Sequence, residues 1–386
     1  MPELSARVME FTDSVIRRMT RISNQYGAIN LSQGFPDFDP PKEILDELAR
    51  VAYDGPHQYS VTFGAENLRQ ALADKHEHFS GQKVDPNTQV VVTCGSTEAM
   101  MTAMMTVCNP GDKVVVFSPF YENYGADAIL SGADPIYVPL KPPAFDFDRE
   151  ELRAAFAQHP KALILCNPSN PCGKVFTRAE LEYIAFLAEK YDVFVITDEV
   201  YEHIVYEPNA HTYFATLPGM WHRTLSCSSL SKTYSITGWR LGYVIAPPEI
   251  TERVKKVHDF LTVGAAAPLQ EAVIPALEFP DSYYDGLRAT YTAKRDLFLK
   301  GLDTIGCSYT VPQGAYYVLM DVSSFGYDSD LRFAEDLARL VGVGGVPGSC
   351  FFRENVNNFI RFHFAKREET LNEALNRLAD IRKKLH

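Results

Sequence analysis

Positive charge is what this sequence is short of. Its 37 lysines and arginines face 49 aspartates and glutamates, a formal net charge of −12. So acidic a chain has no basic face for nucleic acid or for an anionic membrane, and neither partner is expected. Any site for an anionic ligand must then be built locally, from particular arginines and backbone N–H groups. Long apolar runs are also missing. No stretch approaches a membrane-spanning length, and the opening Met1-Pro2-Glu3-Leu4-Ser5-Ala6-Arg7 carries early charge, so neither a spanning helix nor a secretion signal is expected. The cysteines (Cys94, Cys108, Cys166, Cys172, Cys227, Cys307, Cys350) are scattered and odd in number. They point to reduced thiols in a cytoplasmic protein and match no zinc spacing, so no metal site is expected.

Three catalytic signatures are absent as well. His76-Glu77-His78 lacks the zinc-protease spacing, because position 80 is serine. Gly342-Val343-Gly344-Gly345-Val346-Pro347-Gly348 puts Pro347 where a dinucleotide loop needs its third glycine. No serine-nucleophile elbow occurs. There is no internal repeat or low-complexity segment.

What is present is ordinary globular chemistry: 386 residues, 46% hydrophobic and 22% charged, enough for two domains. Residues 14–25 place Val15, Ile16, Met19 and Ile22 on one helical face. A loop, Asn30-Leu31-Ser32-Gln33-Gly34-Phe35-Pro36-Asp37-Phe38, follows, in which Gly34 permits close backbone approach to a ligand or simply a turn. His57-Gln58-Tyr59-Ser60-Val61-Thr62-Phe63-Gly64 is a second polar-aromatic loop, and residues 67–79 read as a surface helix. From residue 89, short β-rich runs alternate with helical ones: 89–94, 113–117, 135–138, 162–166, 192–197, 224–227 and 242–245. That rhythm predicts an α/β domain with a mainly parallel, seven-stranded sheet between helices, with ligands at the carboxyl ends of the strands. Past residue 285 a long helix and a strand-rich tail predict a smaller α+β domain. The expected organisation is an N-terminal arm over 1–44 that also forms part of the small domain, a large domain over 45–285 and a small domain over 286–386.

The chemistry centres on Ser226-Cys227-Ser228-Ser229-Leu230-Ser231-Lys232, with Arg240 eight positions on. Lys232 has no acid nearby in sequence. Ser229 offers a hydroxyl and Arg240 a planar fork suited to phosphate. Taken alone, Lys232 also fits a solvated surface lysine. Joined to a phosphate site, it fits a Schiff-base lysine for pyridoxal phosphate. Gly95-Ser96-Thr97 follows a strand and opens a helix, which suits either a phosphate or an N-cap. Asn167-Pro168-Ser169-Asn170-Pro171-Cys172-Gly173 is either a structural Asn-Pro turn or a mount from which Asn170 donates to a phenolate oxygen. Asp198 ends the apolar run Val193-Phe194-Val195-Ile196 as a cap or as the partner of a cation such as a pyridinium nitrogen, and Tyr201 is placed to share the cofactor oxygen with Asn170. Tyr121 offers an aromatic face. Arg361 lies inside Phe359-Ile360-Arg361-Phe362-His363-Phe364 and needs an anion, either a substrate carboxylate or a structural partner such as Asp321.

Together these segments resemble the class I/II, fold-type I pyridoxal-phosphate aminotransferases over nearly the whole chain and in motif order. Asn-Leu-Ser-Gln-Gly-Phe-Pro-Asp-Phe and Gln-Tyr-Ser-x-x-Phe-Gly most resemble the kynurenine, glutamine and methionine aminotransferase branch. The resemblance implies a ping-pong aminotransferase in which Lys232 forms the internal aldimine with pyridoxal 5'-phosphate and then shuttles the proton. It implies that Asp198 meets the ring nitrogen, Asn170 and Tyr201 the ring oxygen, and that Tyr121 stacks. Ser96, Thr97, Ser229 and Arg240 would hold the phosphate, and Arg361 the substrate carboxylate beside Gly34 and Asn170. Tyr59 would reach the neighbouring cofactor in a homodimer. The aromatics Phe35, Tyr59, Phe63, Tyr121 and Tyr124 favour large or apolar amino acids, with 2-oxoglutarate or pyruvate as acceptor, and no arginine is assigned to a second substrate carboxylate. A cysteine-conjugate carbon–sulfur β-lyase would use the same residues, and a non-catalytic cofactor-binding protein is the remaining alternative.

Overall fold

A computed structural model describes residues 2, 3, 5 and 14–385; residues 1, 4, 6–13 and 386, which include the start of the expected arm, lie outside the described residues. In chain order β1 is Ile29–Asn30. The seven expected strands then form as β2 (Val90–Thr93), β3 (Lys113–Ser118), β4 (Asp134–Lys141), β6 (Ala162–Cys166), β7 (Phe194–Asp198), β8 (Thr224–Ser229) and β9 (Gly242–Ile245). A two-residue strand, β5 (Asp146–Phe147), pairs antiparallel with β4 at the edge, so the sheet has eight strands in the order β2-β9-β8-β7-β6-β3-β4-β5.

Strands β3, β6 and β7 are largely apolar because both faces of the sheet are covered. Val115, Leu163 and Val195 point into one cluster, and Val114, Ile164 and Ile196 into the cluster on the other side. Strand pairing from β4 through β3, β6, β7 and β8 is parallel, whereas β9 runs antiparallel to both β8 and β2. That one reversal matters for function. It brings the start of β9, just after Arg240, to the same edge as the carboxyl ends of β2, β6, β7 and β8. Gly242 makes the meeting possible: a Cβ there would lie 2.4 Å from the Gly95 carbonyl carbon.

The helix expected over 67–79 spans Glu66–Ser80 but is more than a surface element. Leu68, Leu72 and Ala73 are buried, and Lys75 forms a buried ion pair with Glu202 at 2.6 Å. Farther on, β10 (Tyr309–Thr310), β11 (Tyr317–Asp321), β13 (Val346–Pro347) and β14 (Phe359–His363) make an antiparallel sheet in the order β10-β11-β14-β13, while β1 pairs with β12 (Val343–Gly344). The long helix Asp281–Ile305 contributes Tyr291, Phe298 and Leu302 to this second core. Two backbone ties join it to the loops above the large sheet. Gln313 and Gly314 donate to the Gly173 carbonyl, and His363 donates to the Leu31 carbonyl. No described helix is long and apolar enough to cross a membrane.

Candidate active site

Neighbouring parallel strands place their ends side by side. Cys166 is opposite Asp198 in the β6–β7 register, and Asp198 is opposite Cys227 in the β7–β8 register. The loops that leave these ends therefore line one cavity of about 450 Å³, a size suited to a small cofactor with its substrate.

At one end lies an anion cradle. Gly95 caps the helix Ser96–Val107 with a left-handed φ of +81°, and no side chain caps it. Glu98 instead accepts from the Cys94 N–H at 2.5 Å, so the hydroxyls of Ser96 and Thr97 are not used as caps. Ser96 and Thr97 both line the cavity. Arg240 packs flat against Gly95, where a Cβ would fall 2.2 Å from Nη2, and Nη1 donates to the Thr237 carbonyl. Ser229 Oγ accepts from the Ser231 N–H, while Ser231 Oγ is buried and has no hydrogen-bond partner among the described residues. Helix N–H groups, orphaned hydroxyls and a guanidinium without an acid are the donor set of a phosphate site.

Lys232 projects into the middle. Its Nζ donates to the Gly34 carbonyl at 3.4 Å and lies 5.9 and 5.8 Å from the ring centroids of Tyr201 and Tyr316. Burial brings its pKa down to about 8, against the pull of Asp198, with Arg240 and Arg361 adding to the drop. An amine so tuned has a sizeable neutral, nucleophilic fraction near neutral pH. Gly34 is packed tightly here, since a Cβ would meet the Tyr317 hydroxyl at 2.2 Å.

Asp198 is buried at the end of β7. Its Oδ2 accepts from the Tyr124 hydroxyl at 2.7 Å, and Oδ1 accepts from the Val200 N–H. Burial still raises its pKa, so the carboxylate lacks a full cation partner. Tyr201 shares a 2.9 Å hydrogen bond with Tyr317. Arg361, 1% exposed, lies between the rings of Tyr317 and Phe351. It donates to Asn170 Oδ1 at 2.7 Å and to the Ser32 carbonyl at 2.9 Å, while Nε is buried without a partner. Asp321 instead accepts from Ser323 and Asn358, so it is not the partner of Arg361.

Thus Gly34, Ser96, Thr97, Tyr121, Asn170, Asp198, Tyr201, Ser229, Lys232, Arg240 and Arg361 line one cavity. Tyr59 is outside it and 90% exposed. Phe63, expected beside the substrate, is instead covered by Arg69 and Lys255. Sequence reasoning missed Tyr317 and the bond from Tyr124 to Asp198. It also missed Arg17, which the helix Val15–Gln25 brings to the cavity wall. The only sequence signal for Arg17 was its place on the polar side of that amphipathic helix.

The sequence model described as aminotransferase class I and II matches residues 26–378. The chain belongs to the class I and II aminotransferases. It is similar to the N-succinyldiaminopimelate aminotransferase of Mycobacterium tuberculosis, whose structure has a TM-score of 0.95 at 36% identity, covering 98% of this chain and 99% of that one. A methionine aminotransferase of Escherichia coli is 33% identical over 97% of this chain and 98% of its own. Kynurenine–oxoglutarate transaminase 3 of Mus musculus is 34% identical over 96% and 88%. As a class I and II aminotransferase the chain is a fold-type I enzyme, and its cofactor is pyridoxal 5'-phosphate. The orphaned Ser231 hydroxyl, the Arg240–Gly95 cradle and the cation-hungry Asp198 fit that group.

Proposed function

We propose that this aminotransferase moves the amino group of a large aromatic or apolar L-amino acid to 2-oxoglutarate or pyruvate, with Lys232 as the catalytic base. The observation that carries the proposal is the Lys232 amine. It is lowered to about 8 by burial, against the pull of Asp198, and lies in one cavity with Asp198 and Arg361. The apolar preference is supported by Ile16, Phe35, Tyr121 and Val200 in the lining, and by kynurenine and methionine in the names of two relatives.

Pyridoxal phosphate, when bound, supplies an aldehyde that takes up the amine and a ring that draws electrons from the α-carbon. Ser96, Thr97, Ser229 and Arg240 hold its phosphate. Asp198, oriented by Tyr124, would hold a protonated ring nitrogen, which would offset the cost of burying the carboxylate. Asn170 gives its oxygen to Arg361, which leaves its NH₂ group to donate to the ring oxygen beside the Tyr201 hydroxyl. Tyr121, which lines the cavity, would offer its aromatic face to the ring. Arg361 takes the substrate α-carboxylate with its free Nε and turns the α-hydrogen toward Lys232. Lys232 Nζ would act as the base that takes up this proton and later returns it.

The active unit is a homodimer in which Tyr59 serves the neighbouring site. Tyr59, Val61, Phe260, Leu261 and Val263 are exposed, and the two segments meet where Gly264 packs against Thr62. Cys94 Sγ reaches the Gly264 carbonyl, so this apolar patch borders the anion cradle. We propose an arm with part of the small domain over 1–44, a large domain from 45 and a small domain from 286, a division supported by the cluster around Phe298 and Phe362, which also takes in Tyr201 and Tyr206. A panel of amino donors assayed against 2-oxoglutarate and pyruvate tests the substrate class. Preference for small or acidic donors would contradict it, and ammonia release without an acceptor would mark β-elimination instead.

A further inference from the structure

The cavity carries more charge than the reaction so far uses. Its charged lining side chains are Arg17, Glu122, Asp198, Lys232, Arg240 and Arg361. The last four are accounted for by the cofactor and the α-carboxylate. Arg17 and Glu122 remain.

The Glu122 carboxylate accepts from the Ser14 hydroxyl, which ties it to the first residue before the helix Val15–Gln25. Arg17 has no ion pair and no side-chain hydrogen bond among the described residues, and the first turn of its helix contains no acid. Its helix is nonetheless fixed, because Ile16 and Met19 on either side are buried. Arg17 also lies toward the Arg361 end of the cavity. Thr20, one turn farther along, donates to Gln33 Oε1, and the neighbouring Ser32 carbonyl accepts from Arg361. Arg17 itself is exposed, and a guanidinium on a fixed helix at the cavity wall, with no partner among the described residues, suits a second carboxylate on the molecule whose first is held by Arg361.

We propose that Arg17 selects dicarboxylic 2-oxo acids as amino acceptors by binding their distal carboxylate. This rests on the aminotransferase reading above and names the residue that tells 2-oxoglutarate from pyruvate. Large apolar donors use the same space without engaging Arg17, as the apolar parts of the lining, Ile16 and Phe35, allow. Glu122 carries the opposing charge on the same wall. Its bond to Ser14 occupies the carboxylate and reduces its repulsion of an incoming acid.

The test compares the kcat/KM ratio for 2-oxoglutarate over pyruvate in the holoenzyme, Arg17→Gln and Arg17→Lys, with one amino donor throughout. A charge-assisted hydrogen bond at a partly closed site corresponds to roughly a 10- to 100-fold effect. The ratio should fall by roughly that factor in Arg17→Gln, chiefly through KM, and recover in part in Arg17→Lys. An unchanged ratio, a parallel loss with both acceptors, or a wild type that uses pyruvate but not 2-oxoglutarate would overturn the assignment. Failure of the underlying reading looks different: the wild type would form no 2-oxo acid from any donor with either acceptor.

Discussion

Arg361 on β14 and Asn170 on the loop after β6 are joined by a 2.7 Å hydrogen bond between Nη1 and Oδ1. The contact spans the two sheets. It fixes the orientation of the Asn170 amide, because arginine can only donate. The side chain proposed to bind substrate thereby sets the donor proposed to meet the cofactor's ring oxygen.

Breaking that contact should harm every amino acid alike. Arg361→Ala removes a buried charge and strands Asn170, a loss of about 3–5 kcal/mol or roughly 150- to 5,000-fold in kcat/KM. Arg361→Lys keeps the charge but loses the fork, so it should recover only part of the activity. Steady-state kinetics with one aromatic and one aliphatic donor check this. A loss confined to one side-chain class would place Arg361 on the side chain instead of the α-carboxylate.

Tyr124→Phe deletes the 2.7 Å bond to Asp198 and leaves the ring in place. A hydrogen bond to a charged group contributes about 1.5–3 kcal/mol, so cofactor affinity or kcat should fall by roughly 10- to 100-fold. Asp198→Asn removes the charge itself and should cost more. Titration of the apoprotein with pyridoxal phosphate, followed by absorbance, ranks the two variants. Equal affinities across the wild type and both variants would remove Asp198 from the site.

These two residues also show what could be read from sequence. Asp198 ends and Asn170 follows a largely apolar strand, legible because the sheet is covered on both faces, whereas Lys232 follows the hydroxyl-rich β8 and is legible from those serines and from Arg240 instead. The part played by Tyr124 was not legible. It depends on the helix Asn123–Ser131 bringing the hydroxyl to a carboxylate 74 positions away, and the tyrosine alone reads as core. The meeting of Arg240 with Gly95 follows from the antiparallel run of β9, which local periodicity does not encode. The strand β5 has two residues, too few for a pattern, and the burial of Lys75 rests on Glu202, 127 positions away.

The lowered Lys232 pKa sets a pH dependence. Its neutral amine is the nucleophile, so capture of pyridoxal phosphate by the apoprotein should accelerate as pH rises and level off above about 8. Stopped-flow absorbance from pH 6 to 10 measures it. A rate that continues to climb to pH 10 would mean an ordinary, unshifted lysine.

A buried pair supports the anion cradle from behind. His258 Nδ1 meets Glu98 Oε1 at 2.6 Å, and Thr262 joins them. Burial pushes Glu98 up, but bonds from His258 and the Cys94 N–H hold it below its usual range; burial pushes His258 down, and Glu98 more than reverses that. The histidine term is therefore complete below its unfolded pKa and is lost as pH rises through the raised folded value. The glutamate term is present above its unfolded pKa and is lost as pH falls through the lowered one. The pair stabilises most between those limits. His258→Gln should cost about 2 kcal/mol near pH 6, and the gap from wild type should narrow toward pH 9. Urea midpoints at both pH values decide it, since a pH-independent gap would reduce His258 to packing.

Lysine 232 carries the central claim, and Lys232→Ala tests it most directly. Wild-type protein reconstituted with pyridoxal phosphate should form 2-oxo acid from an aromatic donor and show a visible chromophore that borohydride reduces and fixes to the chain. Lys232→Ala should lose both, with activity down by roughly 10⁴-fold or more for loss of the catalytic base and its covalent bond. Full activity and a borohydride-reducible chromophore in Lys232→Ala would contradict the account.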